Sequence, residues 1–213
     1  MTTDELILSL ARDTPVVSRH ALGQRIAFGV LAGGAVSLLL VVTMLDIRPD
    51  ISVAIYSFSF WMKWLYAASL GVGAIGLITS LARPDSTGPR WPWLLAVPIL
   101  LLAAISVAEL AHTPPADWLA MWLGNSWRSC PGRLLLLSAP IFLGLLWSFQ
   151  RLAPTRLRMA GAAAGLAAGS WAAALYCLHC PEVSAVFVLT WYSLGIGLAV
   201  AIGALLGPQL LRW

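Results

Sequence analysis

The chain has 213 residues, of which 60% are hydrophobic and 10% are charged, with a formal net charge of +4. A soluble domain is roughly 25% charged, so this composition excludes an ordinary soluble globular protein, a disordered chain and a secreted disulfide scaffold. It predicts an all-α, multi-pass membrane protein. In such a chain the basic residues mark the cytoplasmic side and do not indicate nucleic-acid binding.

The chain begins with a polar segment, residues 1–24, that we expect to lie in the cytoplasm before a transmembrane domain of residues 25–213. Asp4 can cap a helix there. The apolar face of that helix would carry Leu6, Ile7 and Leu10. Acidic residues outnumber basic ones in this helix, whereas a helix on a membrane surface is normally basic. The pattern favours binding to a groove of a partner protein; the alternatives are a frayed tail or a helix packed on its own bundle.

Six apolar stretches follow, each close to the length of about 20 residues that crosses a bilayer. They are residues 26–45, 62–82, 91–111, 134–150, 157–178 and 185–207. Nine of the 13 basic residues lie on one side of this layout, so the positive-inside rule places both termini in the cytoplasm. These nine are Arg12, Arg19, Arg25, Arg83, Arg90, Arg151, Arg156, Arg158 and Arg212.

Glycines recur at intervals of four residues along three of the predicted spans. They are Gly161, Gly165 and Gly169 in the fifth span, Gly29 and Gly33 in the first, and Gly203 and Gly207 in the sixth. Residues four apart share a helix face, and glycine lets another backbone approach that face closely. Because six spans offer many partners within one chain, we expect packing seams inside the bundle and not a dimer motif.

Two charged side chains lie near the outer ends of spans. Lys63 opens the second span and Glu109 closes the third. Lys63 is expected to extend its ammonium to the membrane interface; the alternative is an ion pair between Lys63 and Glu109. Neither lies at mid-membrane, where transporters and proton relays place such residues, so transport is disfavoured. After Glu109, the stretch 116–123 in the long outer loop is expected to form a short interfacial helix.

Three cysteines meet on the outer side of this topology, where disulfides persist. They are Cys130, at the end of the long loop, and Cys177 and Cys180, at the end of the fifth span. A Cys130–Cys180 bridge would tie two segments together, a Cys177–Cys180 bridge would restrain little, and either leaves one thiol unpaired. A permanent disulfide or small buried thiols are the structural alternatives.

Basic and imidazole groups accompany these cysteines. Arg128 and His179 are near enough in sequence to lower the pKa of a thiol and favour the thiolate. Thiolates and imidazole also suit soft or borderline metal ions, although the spacing is weak for a structural zinc site. Cys130 and Cys180 are the candidate metal ligands.

Short motifs occur along the whole chain. They are Asp4-Glu5-Leu6-Ile7 with Leu10, Arg48-Pro49-Asp50, Trp61-Met62-Lys63, Trp127-Arg128-Ser129-Cys130-Pro131, His179-Cys180-Pro181-Glu182, Thr190-Trp191-Tyr192 and Gly195. This combination resembles the NrsF-type anti-sigma factors, a six-span family of proteobacteria. The Cys-Pro and His-Cys-Pro-Glu motifs are its most specific parts, and Cys177 lies outside the pattern.

The resemblance implies a protein of the bacterial inner membrane that is not an enzyme. Its N-terminal segment, through Asp4, Glu5, Leu6, Ile7 and Leu10, would hold an extracytoplasmic-function (ECF) sigma factor. A periplasmic pair, here Cys130 and Cys180, would sense stress from oxidants or a heavy-metal ion, with no resident cofactor. Supporting structural roles are expected for Lys63, Glu109, Arg128 and Glu182. The alternatives are a membrane thiol-disulfide oxidoreductase linked to quinone and, third, a small transporter.

Overall fold

The protein is all-α throughout the part of the chain that its structure, a computed structural model, describes: residues 21–81, 92–149 and 156–211. The all-α prediction is confirmed. Residues 1–20 fall outside these ranges, and with them the predicted sigma-binding residues Asp4, Glu5, Leu6, Ile7 and Leu10.

Eight helices follow one another along the described residues. Helix α1 runs from Ala21–Leu40 and continues as a π-helical turn, Val41–Leu45. Next come α2, Ile51–Ala54, and α3, Phe58–Leu81. A 3-10 turn, Pro92–Leu95, leads into α4, Ala96–His112, which is followed by the short α5, Trp118–Leu123. The chain then forms α6, Cys130–Phe149, and α7, Leu157–Tyr176. The last helix, α8, spans Ala185–Leu210 and contains the π-helical segment Val188–Tyr192.

Five of the six long helices are long and apolar enough to cross a membrane. They are Leu22–Leu45, Phe58–Leu81, Trp93–His112, Cys130–Phe149 and Ala185–Leu210. The sixth long helix, α7, is rich in alanine and glycine, which carry less apolar surface than leucine or valine. Thirteen of its 20 residues are buried, so α7 is the centre of the bundle. The six predicted stretches all coincide with long helices; a crossing by the fifth stretch stays a prediction.

Helices α7 and α8 pack backbone against backbone. A β-carbon added at Gly161 would collide with the carbonyl oxygen of Gly203, and one at Gly165 would collide with that of Ala199. The contact runs antiparallel, because Gly161 also lies against Gly207 at the far end of α8. The predicted glycine stripe is thus a packing seam within the chain, where close approach increases van der Waals contact.

Helices α1 and α6 form a second seam. Gly29 lies against the backbone of Gly144, and Gly33 lies against Pro140 and Ile141. Two hydroxyls also cross this seam: Ser37 Oγ donates to the Leu137 carbonyl at 2.7 Å, and Ser148 Oγ donates to the Arg25 carbonyl at 2.9 Å. The glycines of the first span are therefore intramolecular contacts too, as predicted.

Helix α4 is attached to the bundle loosely along its length. Only Leu102 and Ser106 are buried among the residues of α4, and a groove of about 460 Å³ separates part of the helix from α3. The end of α4 near His112 makes the polar contacts described below. We call that end of the bundle, formed by residues 46–63, 109–133 and 176–192, the cysteine end.

Candidate functional site

The three cysteines lie together at the cysteine end. Cys130 is the first residue of α6, Cys177 follows the last residue of α7, and Cys180 lies three residues further on. All three are free thiols and fully buried. Cys130 is close enough to Cys177 and to Cys180 for each to influence it electrostatically. The convergence expected from the topology is present. Thiols this enclosed are protected from solvent unless the segment around them opens.

The segment that carries two of these cysteines is a turn between α7 and α8, residues 177–184, which we call the cysteine turn. Helix α7 ends in tight backbone bonds, with the amides of His179 and Cys180 both donating to the Tyr176 carbonyl. Pro181 has no amide hydrogen and cannot continue the helix. Ser184 then starts α8 as its N-cap, accepting a bond from the Phe187 amide at 3.4 Å.

Lys63 holds the cysteine turn from α3. Its Nζ donates to the carbonyl oxygens of Cys180, at 3.1 Å, and Glu182, at 2.6 Å. The side chain is fully buried, so the prediction that its ammonium reaches the membrane interface is wrong. The reason is geometric: Lys63 lies close to the open carbonyls of the turn, which satisfy the ammonium in place of water.

Glu109 holds the next part of the same segment from α4. Its Oε2 accepts bonds from the Ala185 amide at 2.7 Å, the Val186 amide at 3.3 Å and Ser184 Oγ at 3.1 Å. Amides at a helix start have no partner within the helix, and a carboxylate there is favourable. Among the described residues Glu109 forms no ion pair with Lys63, so that alternative is wrong. The Lys63 ammonium thus binds carbonyl groups, and the Glu109 carboxylate binds amide groups, of the same stretch that joins α7 to α8.

Glu182 joins the cysteine turn to the loop between α4 and α6, residues 113–129. Its Oε1 accepts bonds from the amides of Asn125, at 2.8 Å, and Ser126, at 3.1 Å, and from Ser126 Oγ at 3.1 Å. Gly124 precedes these donors with a left-handed φ of 54°, and a β-carbon there would meet the Glu182 carboxylate. The loop therefore wraps closely around this carboxylate, which gives Glu182 a structural role.

The connection between α1 and α2 contributes Arg48. Its backbone amide donates to the Leu178 carbonyl at 3.0 Å, and its Nη1 lies 3.4 Å from the Cys180 carbonyl. The guanidinium also pairs with the Asp50 carboxylate through two bonds, of 2.6 and 2.7 Å. These bonds lower the pKa of Asp50 and raise that of Arg48. Arg48 thus fastens the turn while its charge is largely committed to Asp50.

His179 bridges two segments through its ring. Nδ1 lies 2.8 Å from the Asp46 carbonyl, to which it can only donate, and Nε2 lies 2.9 Å from Nη1 of Arg133. Because a guanidinium has no acceptor, Nε2 must accept, and the ring is the neutral Nδ1–H tautomer. Both nitrogens are occupied, so His179 has no free lone pair for a thiol proton or a metal ion.

Two tyrosines complete the surroundings of the thiols, and sequence reasoning assigned them no role. Tyr176 and Tyr192 are fully buried, and neither hydroxyl has a hydrogen-bond partner among the described residues. Their rings are 5.8 Å apart, and Tyr192 is close enough to all three cysteines to interact with them electrostatically. Tyr192 belongs to the Thr190-Trp191-Tyr192 motif, which was the available signal.

Tryptophans cover the outside of this region. Trp191 stacks between Trp122 and Trp127, at ring distances of 5.5 and 5.4 Å, and its Nε1 donates to the Trp122 carbonyl at 2.8 Å. Arg128 lies over the Trp127 ring at 5.0 Å. The Arg128 charge is therefore engaged with an aromatic face. The predicted role of Arg128 in favouring a thiolate has no support in this geometry. Helix α5, which carries Trp122, is present where a short helix was predicted.

The cluster can offer sulfur to an incoming ligand, but it is not a preformed metal centre. Within the described ranges, no group of three or more histidine, cysteine, aspartate or glutamate side chains is arranged to hold a metal ion. Cys130 and Cys180 as ligands of a heavy-metal ion stay a prediction. The cluster consists of neutral buried thiols. Four other parts of the chain form hydrogen bonds to the cysteine turn and the start of α8 beside them.

Comparisons with known proteins cover the whole chain. The sequence profile of a family, described as NrsF, negative regulator of sigma F, matches residues 10–213. The chain is 38% identical to the probable anti-sigma-F factor NrsF of Azospira oryzae and 39% identical to the anti-sigma-F factor NrsF of Caulobacter vibrioides, in each case over the full length of both chains. No solved structure matches the chain. The matched residues include the cysteine end and all eight helices.

Proposed function

Because the chain belongs to the NrsF family of negative regulators of sigma F, we propose that it is a transmembrane anti-sigma factor. It sequesters a sigma factor of the extracytoplasmic-function class through the N-terminal segment, residues 1–24. The names of both relatives support a sigma factor as the partner. The acidic amphipathic pattern around Leu6 and Leu10 supports this segment as the binding element.

The cysteine end is the sensor in this proposal. One observation carries it: the turn that holds Cys177 and Cys180 is fastened by Arg48, Lys63, Glu109 and the loop around Asn125. A change at the thiols therefore disturbs contacts to several parts of the bundle at once. Oxidation or a heavy-metal ion at Cys130 and Cys180 is the proposed signal, and the protein acts as a regulator without catalysis.

Transmission to the opposite end follows α8. This helix begins directly after the cysteine turn and runs along α7 to Gly207, beside Leu157. Since the α7–α8 seam is packed backbone to backbone, movement at the start of α8 carries along the helix. A signal shifts the protein only if it favours one packing over another. With both termini in the cytoplasm of the bacterial inner membrane, the far end lies on the side of the N-terminal segment.

Removing residues 2–14 tests the partner-binding segment. Full-length protein from detergent-solubilised membranes of the native host should retain a sigma factor that mass spectrometry identifies, and the deletion should lose it. Replacing Leu6 and Leu10 together by alanine should weaken retention at least about tenfold, because buried apolar anchors carry most of the binding energy at such contacts. Ser9→Ala, on the opposite face, is the matched control. Undiminished retention by the truncated protein would contradict the assignment.

Replacing the cysteines tests the sensor. Cys130→Ser and Cys180→Ser should each abolish the rise in sigma-dependent transcription that an oxidant or heavy-metal ion causes. The reason is that a serine hydroxyl neither binds soft metal ions nor is oxidised as a thiol is. Cys177→Ser removes a thiol of equal burial outside the family motif and should leave induction in place. Normal induction in the Cys130→Ser, Cys180→Ser double variant would remove the sensor assignment.

A further inference from the structure

Lys63 carries a buried positive charge with no carboxylate in ion-pair contact among the described residues, although Asp50, which is paired with Arg48, lies within electrostatic range of it. The lysine is fully buried, and it forms no ion pair within residues 21–81, 92–149 and 156–211. Its two bonds go to the carbonyl oxygens of Cys180 and Glu182. Carbonyl dipoles solvate an ammonium group but leave its net charge in place. The site therefore holds a cation that would bind an anion in preference to its present partners.

The other charged groups at the cysteine end are already committed. Arg48 is paired with Asp50. The Glu182 carboxylate accepts bonds from the loop between α4 and α6, and that of Glu109 accepts bonds from the start of α8. His179 is neutral in the tautomer that its two contacts require. Arg133 is a second cation near the thiols, and its Nη1 is bonded to His179 Nε2. A new negative charge on the cysteine turn would therefore act on the ammonium of Lys63 and on this guanidinium, and of the two the lysine is the one that bonds carbonyls of the turn.

The ammonium is also next to the thiols. Its Nζ bonds the carbonyl of Cys180 itself, and its charge acts on the thiol of Cys177. The side chains of both cysteines are fully buried, so little solvent screens their electrostatic interaction with the ammonium of Lys63. At rest the thiols are neutral partners for this cation. A modification that gives one of these thiols a charge therefore changes the electrostatic force on the Lys63 ammonium.

We propose that Lys63 transmits the chemical state of the cysteines to α8. Negative charge placed on a cysteine of the turn draws the ammonium away from the Cys180 and Glu182 carbonyls. Attraction between opposite full charges at low dielectric exceeds the attraction to carbonyl dipoles. The cysteine turn then loses its bonds to α3, and Ser184 and the π-helical start of α8 loosen. The inference rests on the proposed function and specifies its signal: modifications that leave sulfur negatively charged.

Peroxide oxidation is one chemistry of this class. A thiol and two molecules of peroxide yield a sulfinic acid and two waters, and the acid releases its proton to solvent. The sulfur loses four electrons, which reduce the two peroxides. The product is a sulfinate anion beside Lys63. An uncharged adduct on the same sulfur would leave the ammonium with its carbonyls.

Two thiol reagents of opposite charge test the proposal on one cysteine. The full-length Cys130→Ser, Cys177→Ser variant in lipid nanodiscs is incubated with sulfonatoethyl or with trimethylammonioethyl methanethiosulfonate until transient opening of the cysteine turn has let Cys180 be labelled to completion. Each forms a mixed disulfide and releases methanesulfinate, and equal labelling is verified by intact mass. Hydrogen exchange of the amides in residues 182–192 should become roughly tenfold faster with the anionic adduct than with the cationic one, as expected for the loss of charged hydrogen bonds.

Variants of the lysine separate charge from bulk. On the same background, Lys63→Arg keeps the cation and should keep the difference between adducts, whereas Lys63→Met should abolish it. Glu109→Gln, which alters the other anchor, should leave the difference intact. Exchange that rises equally with both adducts, above that of the unlabelled protein, would overturn this inference and leave the cysteine-sensing proposal standing. Exchange that neither adduct raises above that of the unlabelled protein would contradict both. The two adducts are compared first in protein that retains Lys63. This comparison therefore does not depend on whether the lysine variants fold.

Discussion

The α7–α8 seam and the cysteine end stabilise the same bundle by opposite means. Along the seam, Gly161 and Gly203 bring two backbones into contact with no side chain between them. At the cysteine end, Lys63 and Glu109 bind backbone groups of the cysteine turn and of the start of α8. These groups have no partner within a helix. The seam depends on volume and resists any addition, whereas the contacts of the cysteine end depend on charge. The proposed signalling mechanism uses both: a rigid contact along α7 and α8, and a releasable one at the cysteine end.

The largest effect is expected from adding volume to the seam. Gly161→Leu inserts a side chain where even a β-carbon would collide with the Gly203 carbonyl. Overpacking of this kind should lower the free energy of unfolding by about 3 kcal/mol or more. Thermal unfolding of the purified protein in detergent measures the change. Gly197→Leu is the matched control, because nothing lies within 4 Å of a β-carbon at that position of α8. Equal loss in both variants would contradict the seam.

The charged anchor of the cysteine end should be the next most sensitive. Glu109→Ala leaves the amides of Ala185 and Val186 without their acceptor at the start of α8. Hydrogen bonds to a charged group contribute about 1.5–3 kcal/mol, so a loss near 2 kcal/mol is expected in the same unfolding assay. Glu109→Gln retains an acceptor oxygen and should lose about half as much. A Gln variant as unstable as the Ala variant would show that the amide cannot replace the carboxylate.

A smaller effect is expected from the tryptophan stack. Trp191→Phe keeps an aromatic ring against Trp122 and Trp127 but removes the bond from Nε1 to the Trp122 carbonyl. The expected loss is about 1 kcal/mol, the usual contribution of one neutral hydrogen bond. Hydrogen exchange in residues 118–127 should rise with it, because the bond fastens α5 to α8. Unaltered exchange there would show that ring stacking and the bond from Trp122 Nε1 to Thr190 Oγ1 hold α5 without it.

The smallest effect should come from the exposed ion pair. Arg48 lowers the pKa of Asp50 below its ordinary value of 3.8. The pair therefore contributes stability that is fully present above that ordinary pKa and is lost as the pH falls through the lower pKa of the folded protein. Asp50→Asn should remove this dependence, so that the two proteins converge in stability at low pH. A wild-type excess over the variant that grows as the pH falls would contradict the sign.

The packing seams could be predicted because their signal is local. Glycines four residues apart lie on one helix face whatever surrounds them, and Gly161 and Gly33 both lie in contacts within the chain. The short helix α5 and the meeting of the three cysteines followed in the same way, from tryptophan spacing and from the alternation of spans. Each of these inferences needs only the order of elements and their length.

The charged residues could not be assigned from sequence. Lys63 and the carbonyl of Cys180 are separated by 117 residues, and Glu109 and the amide of Ala185 by 76. The expected surface position of Lys63 and its expected pairing with Glu109 were both wrong, because backbone groups of an irregular turn compete successfully for each charge. Irregular backbone leaves no pattern of side chains by which to recognise this competition. Tyr176 and Tyr192 were missed for a different reason: the Thr190-Trp191-Tyr192 motif marks Tyr192, but only the packing of α7 against α8 places both rings beside the thiols.

The amino-acid sequence by itself determined that the chain is a bundle of long apolar helices, where its six long helices lie and which glycine faces pack closely. Those properties depend on composition and on spacing along one helix. Only the tertiary structure decided which groups surround the thiols of Cys130, Cys177 and Cys180, and that Lys63 lies among them without a counter-ion. A buried charge takes whatever partner the folded chain brings within about 3 Å, and that choice depends on segments distant in sequence.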